Sequence, residues 1–189
     1  MNTKQSLGDR YSEWAVIVIT AVALLAGWFV MNGILGRTVP FEADGVSAAA
    51  PAGWKESKPA GGELLNVHEL GSAGYETTYI VSKLPVPQGG GAGNIASFLT
   101  LERAQSLTGY RVLGQREITI NGLEALEVSY VYIESNPDLT HAEIPAVVRG
   151  LDYIFVSGGD AVIATYHADQ SDFEDGLDRF YRFVESIRF

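Results

Sequence analysis

The residues able to do chemistry are few. The histidines are His68, His141 and His167, and none stands in an HExxH pair. His141-Ala-Glu143 and His167-Ala-Asp169 each place an imidazole two residues from a carboxylate. On a strand that spacing puts both groups on one face, and zinc accepts such ligands. Two ligands do not complete a tetrahedral shell. His141, Glu143, His167 and Asp169 are therefore candidate metal ligands set against ordinary surface or hydrogen-bonded roles, and no metal or cofactor is expected. Asp169, Ser171, Asp172, Glu174 and Asp175 form an acidic run, but no glycine holds the sixth position of a calcium loop. Capping of the following helix accounts for it. Gly89, Gly90, Gly91 and Gly93 precede a helix, yet no Gly-Lys-Ser/Thr or GxGxxG pattern follows. No GxSxG elbow is present, and Ser129 and Ser157 have no base near in sequence. Tyr79, Tyr130, Tyr132, Tyr153, Phe155 and Tyr166 stand at strand spacing, which makes them sheet core. The chain is not expected to be an enzyme.

The elements that position these residues follow from pattern. GVSAAAPAGW at 45–54 reads as a first strand that ends near Pro51, with Trp54 as a core residue or edge cap. LLNVHEL (64–70) and YETTYIVSKL (75–84) read as strands joined at GSAG. In the second, Tyr75, Thr77, Tyr79 and Val81 alternate with Glu76, Thr78 and Ile80. PVPQGGGAGN (85–94) is a loop, and Asn94 is suited to cap the helix that follows. Gly109 is placed to end that helix. RVLGQREITI (111–120) and LEALEVSYVYI (123–133) flank Asn121-Gly122, the hairpin signal of a type I′ turn. VVRGLDYIFVS (147–157) and DAVIATYH (160–167) flank Gly158-Gly159. In the last helix Phe173, Leu177, Phe180, Val184 and Ile187 make one apolar stripe, with Ser171 and Glu174 as a capping box. Strands, a helix, a four-strand meander and a closing helix give an α+β domain. The loops 85–93 and 134–145 are the exposed segments expected to meet a partner.

Upstream stands Trp14–Leu35, WAVIVITAVALLAGWFVMNGIL, which carries no charge. As a helix it is roughly 33 Å long at about 1.5 Å per residue, enough for a hydrocarbon core of roughly 30 Å. It is longer than the apolar region of a signal peptide, and Ala48-Ala49-Ala50 lies well beyond its end. A retained single-pass anchor is expected at 14–35, after a tail at 1–13 and before a linker at 36–44 and a domain at 45–189. Lys4 and Arg10 outweigh Arg37 at the flanks, which places the N-terminus in the cytoplasm and the domain outside it. Thr20, Ala23 and Gly27 share one face, and Ala23-x-x-x-Gly27 is a small-residue pair suited to contact with a partner helix.

Composition excludes several classes. There is no cysteine, hence no disulfide framework, thiolate site, cysteine nucleophile or lipid-modified cysteine. The 13 basic residues face 23 acidic ones, for a net charge of −10. Nucleic acid is repelled by such a surface, while a cationic patch on a protein partner is favoured.

From the first strand onward the chain resembles the PsbP-like superfamily, in GVSAAAPAGW, ITINGLEALEVSYVY, VVRGLDYIFVSGGDAVIATY and the ending FEDGLDRFYRFVESIRF. That resemblance implies an α/β/α sandwich on an antiparallel sheet and a binding or assembly role. It transfers no functional residue. With the anchor, it leads to a non-catalytic accessory subunit or assembly factor of a membrane complex, in electron transport or photosynthesis. Its partners are then other subunits of that complex. The alternative is an independent, membrane-anchored envelope domain that binds a small ligand or metal.

Overall fold

The computed structural model describes residues 7–35, 37–70, 75–134 and 145–189. The chain forms two units, residues 1–38 and 39–189.

The first unit is helix α1 (Leu7–Leu35). Trp14, Val16, Ile17, Val18, Ile19, Val22, Leu24 and Leu25 are all exposed along it. Among the described residues no helix is long and apolar enough to cross a membrane. The apolar side chains described in α1 run from Trp14 to Gly27, about 21 Å of helix at about 1.5 Å per residue, against roughly 30 Å of hydrocarbon. The span expected over 14–35 is therefore not carried by the described side chains.

The second unit is built on a seven-stranded antiparallel sheet. Its strands are β3 (Lys55–Glu56), β4 (Glu63–His68), β5 (Thr78–Pro85), β6 (Thr108–Ile120), β7 (Leu123–Glu134), β8 (Ala146–Ser157) and β9 (Asp160–Asp169). They lie in the order β3-β4-β5-β9-β8-β7-β6. The meander β6–β9 thus folds back until β9 pairs with β5, in register from Thr78↔His167 to Pro85↔Asp160. Helix α2 (Ala92–Ser106) covers one face, where Ile95 and Ala96 pack with Leu126, Val128, Tyr130 and Ile154. Helix α3 (Phe173–Glu185) and the strand β2 (Val46–Pro51) cover the other, packing on Tyr79, Val81, Tyr153 and Tyr166. This is the expected α+β arrangement of helices on both faces of an antiparallel sheet.

Residues 38–43, read as linker, instead form strand β1 (Thr38–Ala43), paired with β2 in a two-stranded sheet. Asp44 and Gly45 take φ of 47° and 77°, as a tight type I′ turn requires. The Asp-Gly signal between the two runs was present in the sequence. Lys83 Nζ reaches both Asp44 Oδ2 at 3.0 Å and Asp160 Oδ2 at 3.4 Å, tying this turn to the sheet. The expected Asn121-Gly122 turn is as read, with φ of 51° and 80°. The GSAG connection at 71–74 and most of the loop 134–145 lie outside the described residues.

Both helix starts differ from expectation. Gly91, not Asn94, is the N-cap of α2. Asn94 sits in the first turn, where its Oδ1 accepts the Gly91 N–H at 3.0 Å. Gly109 does not end α2; Leu107 does, and Gly109 already belongs to β6 with φ 65°. Before α3 the N-cap is Asp172, and Ser171 Oγ donates to Asp169 Oδ1 (2.7 Å) and Asp172 Oδ1 (3.0 Å). The hydroxyl is thus spent on the preceding turn rather than on the helix.

Candidate functional site

The chemistry-bearing residues gather beneath α2, on the α2 face of the sheet. Asp152 of β8 is 1% exposed. A buried carboxylate needs a counter-charge and hydrogen bonds, and it has both. Arg103 binds it with two nitrogens, Nη1 to Oδ2 and Nη2 to Oδ1, the latter at 3.2 Å. Thr165 Oγ1 donates to Oδ1 at 2.7 Å and Tyr130 Oη at 3.3 Å. Burial works against the Arg103 charge, but Asp152 outweighs it and holds the guanidinium's pKa above its usual range. The guanidinium carbon also lies 4.4 Å from the centre of the Tyr130 ring, a cation–π contact. One arginine at the end of α2 thereby pins the helix to the middle of the sheet.

His167 extends the network. Its Nε2 lies 2.7 Å from Tyr130 Oη. Tyr75, Tyr130 and Tyr132 all meet its ring edge-on, at 6.5, 5.8 and 5.5 Å between centroids. Burial, then the nearby Arg103 charge, lower its pKa from 6.5 to about 4, with Asp152 opposing. The imidazole is neutral at physiological pH. Burial pushes the Tyr130 hydroxyl well above its usual range. Tyr75 and Tyr132 share a hydroxyl–hydroxyl contact of 3.0 Å. Gly150, opposite Tyr130 in the ladder, makes room for the ring: a Cβ there would lie 2.1 Å from Tyr130 Cε2.

Of the sequence-predicted ligands, His167 and Asp169 are described, both on β9. His167 is engaged with Tyr130. Asp169, two residues on, accepts the N–H and hydroxyl of Ser171 at 2.9 and 2.7 Å. His141 and Glu143 lie outside the described residues. Among the described residues no group of three or more His, Asp or Glu side chains is placed to hold a metal ion. Thr20, Ala23 and Gly27 are exposed on α1, and the space around the Gly27 Cα is open.

Sequence reasoning missed a second feature. Beyond the start of α2 the sheet face is uncovered and forms an open cleft of about 520 Å³. Gln115, Glu117 and Thr119 of β6, Glu124 and Leu126 of β7, and Val156 of β8 line it, with Ala92 and Gly93 at the rim. The register explains the lining. Glu117 stands opposite Leu126 and Thr119 opposite Glu124, so these side chains share the face on which Leu126 packs toward α2. The strand alternation was legible, but how far α2 reaches over the sheet was not.

No family model matches the chain, and no curated protein matches it. Solved structures do. The chain is similar to the solution structure of cyanobacterial PsbP (CyanoP) from Synechocystis, at 10% identity with a TM-score of 0.56. That match covers 80% of this chain and 92% of the other. It is also similar to the Ran-binding protein Mog1p of Saccharomyces cerevisiae, at 10% identity with a TM-score of 0.51, over 80% and 95% of the two chains. Likeness at such identity speaks to fold, and the domain has the PsbP-like fold.

Proposed function

We propose that this protein is a non-catalytic accessory or assembly subunit, held at a membrane by its N-terminal helix, whose domain recognises other subunits of a membrane complex. One observation carries the reading. The apolar residues of α1 between Trp14 and Leu25 are exposed at successive positions, which lie about 100° apart around a helix, so this described stretch has no charged face to turn to water. The uncharged stretch continues in sequence to Leu35, a length suited to a bilayer. Two further points support it. The charged and titratable groups at the centre of the sheet are bonded to one another rather than presented to a substrate. One protein of the same fold, Mog1p, binds a protein partner, Ran. The flanking charges favour a cytoplasmic N-terminus.

The test is fractionation followed by purification. The full chain is expected to stay in the membrane pellet through alkaline carbonate and to bring other membrane subunits with it in mild detergent. Release by carbonate, or recovery as a lone chain, would overturn the reading.

A further inference from the structure

Among the described residues, the cleft lies against an unpaired sheet edge. Among these residues strand β6 pairs only with β7, and β3 at the opposite edge has only Lys55 and Glu56. From Gly114 to Ile120 the β6–β7 ladder runs without a register shift, whereas irregularities interrupt it between Thr108 and Gly114. In a two-residue hairpin the residues flanking the turn exchange both hydrogen bonds. Ile120 and Ile118 therefore point their backbone groups inward, and Gln115, Glu117 and Thr119 point theirs to the free edge. Regular edges of this kind are usually blunted by charge, bulges or proline. Here the bulges sit only at the far end.

The charge of the edge is one-sided. On the face turned to α3, Arg116 is held by Glu127 through two hydrogen bonds of 2.6 and 2.9 Å. On the cleft face Glu117 and Glu124 have no ion-pair partner among the described residues. They are diagonal neighbours across the ladder, roughly 7–8 Å apart, above the apolar floor of Leu126 and Val156.

We propose that the free edge of β6 from Gly114 to Ile120 receives an extended, basic segment of a partner protein as an eighth strand, with its lysine or arginine side chains over Glu117 and Glu124. Backbone pairing supplies affinity in strand addition, and the pockets beside alternate side chains supply specificity. Period-two placement sends every second side chain of the incoming strand to the cleft face. A basic residue there meets these two carboxylates on a protein of net charge −10, which also accelerates encounter. An acidic or neutral strand gains none of this.

This site rests on the reading of the domain as an interaction module, and the experiment separates the two. The full chain in detergent is titrated at low ionic strength with a blocked, fluorescent hexapeptide of alternating lysine and valine, and with its glutamate–valine counterpart. The basic peptide is expected to bind and the acidic one not to. Glu117→Lys with Glu124→Lys should weaken binding at least tenfold. Thr119→Pro removes an edge-facing N–H while leaving the β7 ladder intact, and should abolish binding without moving the melting temperature. Equal binding of both peptides, no binding of the basic one, or unchanged binding by either variant overturns the site. So does a concentration-dependent dimer that Thr119→Pro dissolves without any peptide binding, because the occupant is then a second copy. Membrane subunits still co-purifying with a chain that ignores the peptide would sink this site alone; their absence would sink the broader reading.

Discussion

At the scale of single residues, the centre of the domain is a set of mutual dependencies. Gly150→Ala would drive a Cβ into the Tyr130 ring, and overpacking of that kind costs about 1–3 kcal/mol. A lowered melting temperature should report it. Asp152→Ala leaves Arg103 buried without its counter-ion, a loss of about 3–5 kcal/mol, measurable by denaturant unfolding. His167 gives the pH dependence. Its pKa is about 4 when folded against 6.5 when free, so between those values the unfolded chain binds the extra proton. Stability is complete above about pH 6.5 and falls as pH drops toward about 4. The denaturant midpoint should follow that course, and His167→Gln should flatten the slope in this window. Sequence alone identified the tyrosines as core because their spacing matched a strand. It could not pair His167 with Tyr130 or Arg103 with Asp152, which stand 37 and 49 residues apart. His167 and Asp169, two residues apart, were candidate ligands in sequence; in the fold the first meets Tyr130 and the second Ser171.

At the scale of elements, turns and apolar stripes were legible, while helix starts were not. Asn121-Gly122 announced its hairpin because few residues tolerate its backbone angles. The structure adds that Asn121 Nδ2 donates to Glu185 O at 2.7 Å, at the end of α3. One side chain thus turns a hairpin and caps a helix. Asn121→Ala should cost about 1–2 kcal/mol from the left-handed backbone, with a further loss from the open carbonyl; thermal unfolding compared with Asn121→Gly separates the two effects. The α3 stripe was readable because Phe173, Phe180, Val184 and Ile187 are all buried. On α2 the same logic was less decisive: Ile95 is buried, but Phe98 and Leu101 are exposed. Its docking adds Arg103 to the packing of Ile95 and Ala96, and no apolar pattern announces that arginine. The start of each helix was misplaced because several polar residues compete for the same free N–H groups, and the winner is set by turn geometry.

At the scale of the whole molecule, the separation into residues 1–38 and 39–189 gives a prediction of its own. Removal of residues 1–37 should leave a domain with an unchanged melting temperature that no longer sediments with membranes, as fractionation and calorimetry would show. The domain is also closed by its two ends. Ser47 and Arg188 exchange backbone hydrogen bonds of 2.9 Å each, and the Ala49 N–H donates to Ser186 Oγ at 2.9 Å. The consequence lies in biosynthesis. Strand β2 is made early, yet its partner Ser186 follows Ala49 by 137 residues. The first hairpin must wait until helix α3 has been made and arrives to lock it.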